Sequence, residues 1–167
     1  MTITVGVLTV SDRCSRGEEQ DISGPLVCQL VTDRLGAKVL QTAVVPDEGA
    51  LISGKLIAWS DDEGLDLILT TGGTGFAPRD ITPEATREVI ERETPGLTEA
   101  MRSAGLRTTP RAMLSRAVAG IRGHTLIVNM PGSPRAVQDG LETLVPALPH
   151  AIEVLRGVPE SYHHHEH

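Results

Sequence analysis

Five short apolar segments along the chain have the length and composition of buried β-strands. They are rich in Val, Ile, Leu and Thr, and polar or glycine-rich stretches separate them. The first is dominated by β-branched and aliphatic residues, which is typical of a central strand covered on both faces. We predict strands at residues 3–10, 37–45, 65–69, 117–121 and 125–129.

The segments between these strands carry apolar residues at the spacing of an α-helix. They predict helices at residues 23–35, 48–59, 83–92, 100–104 and 133–155. Several helix ends have a recognisable signal. Gly36 is a C-terminal stop, Asp47 and Thr82 are plausible N-caps, and Ser133 with Pro134 begins the last helix.

Alternation of strands and helices predicts an α/β fold with three layers, α/β/α, in which a mostly parallel sheet has helices on both faces. Residues 1–158 are expected to form this single domain. Residues 159–167 form a His-rich tail, for which a frayed end or a tag remnant is a better explanation than a metal site. In such a sheet ligands bind at the C-terminal ends of the strands.

A glycine-rich loop follows the predicted strand at residues 65–69. Residues 71–75, here called the glycine loop, contain three glycines and precede a helix. Strand, glycine loop and helix N-terminus together direct backbone N–H groups towards an anion, which predicts a phosphate site. The loop lacks the Gly-Lys-Ser/Thr ending of a Walker A motif, and Pro78 stands where the dinucleotide fingerprint has its third glycine. A tight turn without a ligand remains the alternative.

Three aspartates, Asp12, Asp47 and Asp80, each lie at or just past a predicted strand end. One or two carboxylates together with substrate phosphates are the usual ligands of Mg²⁺ in phosphoryl or nucleotidyl transfer. Asp47 and Asp80 are therefore candidate Mg²⁺ ligands, although Asp47 serves equally well as a helix cap. Arg79 either neutralises a phosphate or pairs with a neighbouring acid.

Composition narrows the function classes further. The net charge is −7, and only three of the 167 residues are aromatic. Repulsion from the nucleic-acid backbone and the lack of stacking side chains argue against nucleic-acid binding. No apolar run is long enough for a membrane span, and two isolated cysteines favour a reducing cytoplasm. Residues 14–23 are polar and are predicted to form an irregular loop. Cys14 in this loop has no visible partner base, so non-covalent positioning of phosphates is favoured over covalent catalysis.

Seven short motifs in order along the chain give it a specific resemblance. They are Ser11-Asp12-x-x-Ser15-x-Gly17, Asp21-x-Ser23-Gly24-Pro25, Pro46-Asp47-Glu48, Thr71-Gly72-Gly73-Thr74-Gly75, Pro78-Arg79-Asp80-x-Thr82-Pro83-Glu84-Ala85, Leu114-Ser115-Arg116 and Asn129-Met130-Pro131-Gly132-Ser133-Pro134. Together they resemble the MogA/MoaB family of molybdenum-cofactor biosynthesis, from Val5 to about Gly157. The chain is similar to the compact form of that family, which includes the G domains of gephyrin.

The resemblance implies a homotrimeric molybdopterin adenylyltransferase that uses ATP, molybdopterin and Mg²⁺ and hands its product to a molybdate-inserting enzyme. It implies that Asp47 and Asp80 are catalytic and metal-associated. The implied substrate- and phosphate-binding residues are Ser11, Asp12, Thr71, Gly72, Gly73, Thr74, Gly75, Arg79, Ser115, Asn129, Pro131, Gly132 and Ser133. Two alternatives stay open: a non-catalytic trimeric molybdopterin-binding protein of the MoaB type, and a nucleotide-binding protein of flavodoxin-like topology.

Overall fold

The computed structural model describes residues 1–157, which contain a single six-stranded sheet. The two outer strands at one side are short, the strand at the other edge exposes alternate residues, and the three strands between them are almost entirely buried. The strands are β1 (Thr4–Val10), β2 (Lys38–Val45), β3 (Leu67–Thr71), β4 (Arg92–Glu93), β5 (Ala119–Arg122) and β6 (Thr125–Met130).

Seven α-helices connect or flank these strands in the described part of the chain. They are α1 (Asp12–Ser15), α2 (Ser23–Leu35), α3 (Gly49–Ile57), α4 (Thr82–Val89), α5 (Pro95–Leu106), α6 (Pro134–Leu144) and α7 (Leu148–Leu155). A π-helical turn, Ala58–Asp62, extends α3, and a 3₁₀ turn, Pro110–Leu114, follows α5. No helix within residues 1–157 combines the length and the apolarity that a membrane span needs.

The strand order is β2-β1-β3-β6-β5-β4. The first four strands of that order run parallel to one another, whereas β5 is antiparallel to both of its neighbours. The predicted three-layer α/β fold with a mostly parallel sheet is confirmed. The C-terminal ends of β1, β2, β3 and β6 are level with one another, because Val10 pairs with Val45 and Thr71 pairs with both Thr9 and Met130.

Alternate residues of the central strands supply two separate apolar cores. On one face Val5, Val7 and Leu67 pack with α2, α5, α6 and α7, and on the other face Leu8 and Ile68 pack with α3 and α4. Burial on both faces explains why these strands are apolar at nearly every position.

Three sequence predictions about helix extents were wrong. The predicted helix at 133–155 is two helices, because Pro146 lies between α6 and α7 and a proline in a helix interior removes an N–H donor and clashes with the preceding turn. The helix predicted at 83–92 ends at Val89, and Arg92–Glu93 pairs with β5 instead. Cys14 belongs to α1 rather than to an irregular loop. The predicted tail at 159–167 and the boundary at residue 158 lie outside the described residues.

Candidate active site

The ends of β1 and β2 bring Asp12 and Asp47 together in a reciprocal pair of hydrogen bonds. The backbone N–H of Asp12 donates to Oδ2 of Asp47 at 2.9 Å, and the backbone N–H of Asp47 donates to Oδ1 of Asp12 at 3.0 Å. Each carboxylate thus orients the backbone that carries the other. Asp47 is not the cap of α3, since that position is Glu48, which makes no side-chain capping bond.

Arg79 neutralises Asp12, whereas no cationic side chain within residues 1–157 hydrogen-bonds to Asp47. Nε and Nη2 of Arg79 donate to the two carboxylate oxygens of Asp12 at 2.6 and 3.0 Å. These bonds lower the pKa of Asp12 to about 2. Burial raises the pKa of Asp47, and the negative charges of Asp12 and Asp80 raise it further against the opposing effect of its backbone hydrogen bond. Asp47 is therefore an ionisable group whose charge a bound cation would stabilise.

The glycine loop lies directly beside these carboxylates. Gly72 and Gly73 have φ values of +98° and +70°, which side chains rarely adopt. A Cβ on Gly73 would lie 3.1 Å from Oδ1 of Asp47, and a Cβ on Gly75 would lie 2.9 Å from Oδ2 of Asp80. Only glycine lets the loop backbone approach both carboxylates so closely.

Thr82 holds the glycine loop rather than capping α4. Its hydroxyl donates to the carbonyl of Gly72 at 3.0 Å, and its backbone N–H donates to the carbonyl of Gly73 at 3.1 Å. The N-cap of α4 is Ile81, which has no capping side chain. The predicted capping role of Thr82 was therefore wrong, although Pro83 does stand in the first turn.

Arg116 is a residue of this site that reasoning from spacing did not single out. Its guanidinium donates to the carbonyl of Gly75 at 2.8 Å, to the carbonyl of Asp80 at 2.6 Å, and to both carboxylate oxygens of Glu84. The available signal was its place in the motif Leu114-Ser115-Arg116, because a motif arginine 36 residues from Asp80 has no local partner to explain it.

A cleft of about 240 Å³ opens on the other side of the glycine loop. Ser11, Thr71, Gly72 and Gly132 line it, together with residues 19–23 of the segment before α2. Gly132 and Gly72, which both line the cleft, pack closely together. A Cβ on Gly132 would lie 3.4 Å from Cα of Gly72. Of the predicted binding residues, the structure therefore brings Ser11, Thr71, Gly72 and Gly132 to one cavity.

The other predicted binding residues occupy supporting positions. Ser11 and Ser133 cap α1 and α6 with their hydroxyl oxygens, and the Thr71 hydroxyl donates to the carbonyl of Pro131 at 2.7 Å. Thr74 is buried, and its carbonyl accepts from the backbone N–H of Arg116. The Ser115 hydroxyl oxygen accepts a hydrogen bond from the backbone N–H of Ala117 at 3.3 Å, within the same motif segment as Arg116.

Asn129 is completely buried, and its side chain is fully occupied by the protein. Its amide donates to the hydroxyls of Thr70 and Thr86, and its carbonyl oxygen accepts from the N–H of Val118. In this structure it joins β6, β3 and α4 beneath the site and does not face the cleft.

The chain has extensive similarity to known proteins. A family described as "Probable molybdopterin binding domain" matches residues 6–150. The chain belongs to this family. A molybdopterin adenylyltransferase of Helicobacter pylori is 43% identical over 157 residues, with 93% of this chain and 89% of that protein covered. The molybdenum cofactor synthesis protein cinnamon of Drosophila melanogaster is 46% identical over 92% of this chain, which spans only 26% of that longer protein.

A solved structure from the same family has nearly the same backbone. The molybdopterin biosynthesis enzyme MoaB of Thermus thermophilus is 52% identical and superposes with a TM-score of 0.88, covering 95% of this chain and 99% of that one.

Proposed function

We propose that this protein is a molybdopterin adenylyltransferase, which transfers AMP from ATP to the terminal phosphate of molybdopterin and releases pyrophosphate. The observation that carries the proposal is the placement of Asp47 beside Asp80 and the glycine loop. Asp47 is a partly buried carboxylate to which no cationic side chain in the described part of the chain hydrogen-bonds. Relatives that bear this enzyme name and cover nearly the whole chain support it.

The residues suggest a division of roles within the site. Molybdopterin occupies the cleft beside Ser11, Thr71 and Gly132, and a phosphate group binds the N–H groups of the glycine loop. An oxygen of the molybdopterin phosphate attacks the α-phosphorus of ATP, and the bond from that phosphorus to the oxygen bridging to the β-phosphate breaks. The protein acts by in-line positioning and charge neutralisation, which is how catalysts of phosphoryl transfer commonly work.

Mg²⁺ fits the donor set that the structure offers. Residues 1–157 contain no group of three or more acidic, His or Cys side chains arranged to hold a metal. A metal ion at this site would therefore depend on ligands from the substrates and water as well as on protein carboxylates. Asp47 and Asp80 would supply two carboxylates, and substrate phosphates and water would supply the remaining ligands, as Mg²⁺ sites commonly require. When bound, Mg²⁺ neutralises phosphate charge. The raised pKa of Asp47 is consistent with a carboxylate whose negative charge a bound cation would stabilise.

The family resemblance extends the proposal to the whole protein. We expect a cytoplasmic homotrimer that passes adenylylated molybdopterin to a molybdate-inserting enzyme and interacts with neither nucleic acid nor membrane. The alternative, a trimeric molybdopterin-binding protein without catalysis, has the same fold and the same cleft. It differs in one outcome only, because it binds molybdopterin without forming an AMP-linked product.

Replacement of Asp80 by Asn tests the reaction directly. Asn keeps an oxygen that accepts the hydrogen bond from the N–H of Ala77, now 3.0 Å from Oδ2 of Asp80, but it removes the negative charge. We expect Asp80→Asn to lower adenylylation by at least about 100-fold, the scale of losing one electrostatic contact in a transition state. Molybdopterin binding should change little. The measurement is the formation of AMP-linked molybdopterin from ATP, Mg²⁺ and molybdopterin.

Asp33→Asn is the matched control, since it makes the same chemical change on the exposed surface of α2. It should retain the activity of the unmodified protein. Full turnover by a folded Asp80→Asn protein would overturn the assignment of Asp80. Absence of product from the unmodified protein, with molybdopterin bound, would favour the non-catalytic alternative.

A further inference from the structure

Four consecutive carbonyl groups of the glycine loop accept hydrogen bonds from only two residues. Thr82 binds the first two, through its hydroxyl to Gly72 at 3.0 Å and its backbone N–H to Gly73 at 3.1 Å. Arg116 binds the next two, through its backbone N–H to Thr74 at 2.9 Å and its Nε to Gly75 at 2.8 Å. Thr82 or Arg116 therefore holds each of the four carbonyls of residues 72–75.

The geometry of the peptide bond determines where the N–H groups that follow these carbonyls point. In a planar trans peptide the carbonyl of one residue and the N–H of the next point in opposite directions. Because the carbonyls of residues 72–75 point to Thr82 and Arg116, the N–H groups of residues 73–76 point away from them. None of these four N–H groups donates to an acceptor within residues 1–157. Successive backbone N–H groups that have no hydrogen-bond acceptor in the protein can bind an anion.

Arg116 also connects the glycine loop to Asp80. Its Nη2 donates to the backbone carbonyl of Asp80 at 2.6 Å, and its Nη1 lies 2.8 Å from a carboxylate oxygen of Glu84 in α4. Two thirds of its side chain is covered, since the exposed fraction is 34%. One guanidinium therefore sets the distance between the glycine loop and the residue that we propose as a Mg²⁺ ligand.

We propose that Thr82 and Arg116 are positioning residues, which orient the four N–H groups of residues 73–76 towards a phosphate group of the substrates. Neither side chain contacts the phosphate. This inference rests on the proposed function for the identity of the substrate, but the orientation of the N–H groups can be tested with a simple anion. Pyrophosphate is the suitable probe, because it is the expected product and has the charge of the ATP phosphates.

Thr82→Val tests the first contact, since it keeps the shape of the side chain and removes the hydroxyl. The carbonyl of Gly72 loses its partner, and the peptide that carries the N–H of Gly73 becomes free to turn. We expect the Kd for pyrophosphate, measured by calorimetry, to rise about tenfold, the effect of roughly one lost hydrogen bond. Thr82→Ser restores the hydroxyl and should bind within about twofold of the unmodified protein.

Arg116→Lys tests the second contact. Lysine keeps the positive charge beside Glu84 but lacks the planar group that reaches two carbonyls at once. We expect weaker pyrophosphate binding and, because Asp80 is also displaced, a lower kcat at saturating ATP rather than only a higher KM. A residue that merely stabilised the fold would change neither in the folded protein.

Two remote substitutions serve as matched controls. Thr143→Val removes a hydroxyl that donates to a backbone carbonyl in α6. Arg122→Lys alters an arginine at the end of β5, remote from the site, that binds the carbonyl of Val89 and the carboxylate of Asp61. Both should bind pyrophosphate as the unmodified protein does. Equal binding by Thr82→Val and by its control would overturn the proposal.

Nuclear magnetic resonance of the unmodified protein gives a test that does not depend on variant folding. Addition of pyrophosphate should shift the amide signals of residues 73–76 more than those of other loops. Unchanged signals in the presence of bound pyrophosphate, or no binding at all, would overturn the proposal. If these signals shift while no adenylylated molybdopterin forms, the proposed reaction fails and the orienting role of Thr82 and Arg116 stands.

Discussion

At the scale of single residues, the main feature of the site is the inequality of Asp12 and Asp47. The two side chains have the same chemistry and exchange equivalent backbone hydrogen bonds. Within residues 1–157, Arg79 hydrogen-bonds to Asp12 and not to Asp47, so the pKa of Asp12 falls to about 2, while burial and neighbouring negative charges raise the pKa of Asp47. Asp12 is therefore ionised at neutral pH and orients the backbone of Asp47, whereas Asp47 is the carboxylate that we propose as a ligand of the cation.

This inequality predicts that Asp47→Asn stabilises the protein without Mg²⁺ while impairing its reaction. The side-chain oxygen of Asn still accepts from the N–H of Asp12, and the repulsion from Asp12 and Asp80 disappears. We expect a gain of about 0.5–1 kcal/mol at pH 7, as is common when a functional carboxylate is neutralised. Urea unfolding measures this difference.

The pH dependence of that gain has a definite sign. The folded pKa of Asp47 lies above its ordinary value of 3.8, so folding favours the protonated form and the ionised carboxylate costs stability at higher pH. The advantage of Asp47→Asn should therefore be largest above the folded pKa and shrink as the pH falls towards 3.8. Mg²⁺ should raise the melting temperature of the unmodified protein more than that of the variant. A variant less stable at pH 7 would contradict this account.

Sequence reasoning located the residues of the site better than it located their contacts. Strand ends and a glycine cluster are local patterns, so Asp47, Asp80 and the glycine loop could be placed at one edge of the sheet in advance. The partners of Thr82 and Arg116 depend on contacts across ten and about forty residues. Local spacing carries no information about such contacts, which is why Thr82 was assigned to a cap and Arg116 was not singled out.

At the scale of elements, the side chains that pack on each face of a central strand determine which residues that strand can contain. β1 contains a glycine among large residues because Trp59 lies against it. A Cβ on Gly6 would lie 2.7 Å from Cε3 of Trp59 and 2.8 Å from Cδ1 of Leu65. The absence of a side chain in β1 thus makes room for the one tryptophan of the chain, which is 4% exposed.

Gly6→Ala should therefore destabilise the protein, by about 1–3 kcal/mol, since overpacking displaces neighbours in a close-packed core. Gly54→Ala is the matched control in α3, where an added Cβ would meet nothing within 4 Å. That substitution should stabilise by up to about 1 kcal/mol through helix propensity. Urea unfolding of both variants checks the opposite signs, and a Gly6→Ala protein as stable as the original would contradict the packing.

Element boundaries followed the local signals only where no tertiary contact competed. Gly36 ends α2 with φ +59°, and Ser133 caps α6, as their residue types indicate. The periodic pattern of apolar residues continues past Pro146, however, because α6 and α7 face the same core. Periodicity reports which residues are buried, and it does not report whether the backbone between them stays helical.

At the scale of the whole molecule, the candidate active site lies at the C-terminal ends of the strands. A second polar cluster lies at the N-terminal ends of β1 and β3. There Asp66, which is 8% exposed, accepts hydrogen bonds from the backbone and hydroxyl of Thr4 and from the guanidinium of Arg156. Burial alone would raise the pKa of Asp66, but these hydrogen bonds outweigh it and lower the pKa. Arg156 follows α7 directly, so this cluster attaches the last helix to the starts of β1 and β3.

Arg156→Met should lower the free energy of unfolding by about 2–4 kcal/mol, because it leaves a buried carboxylate without its charged partner. The loss should shrink as the pH falls below 3.8 and through the lowered pKa of Asp66, because the carboxylate then loses its charge. Since the active site lies at the other end of the strands, kcat and KM of the folded variant should match those of the unmodified protein at a temperature well below its melting point. A loss of activity without a loss of stability would contradict this expectation and show that the two ends of the strands are coupled.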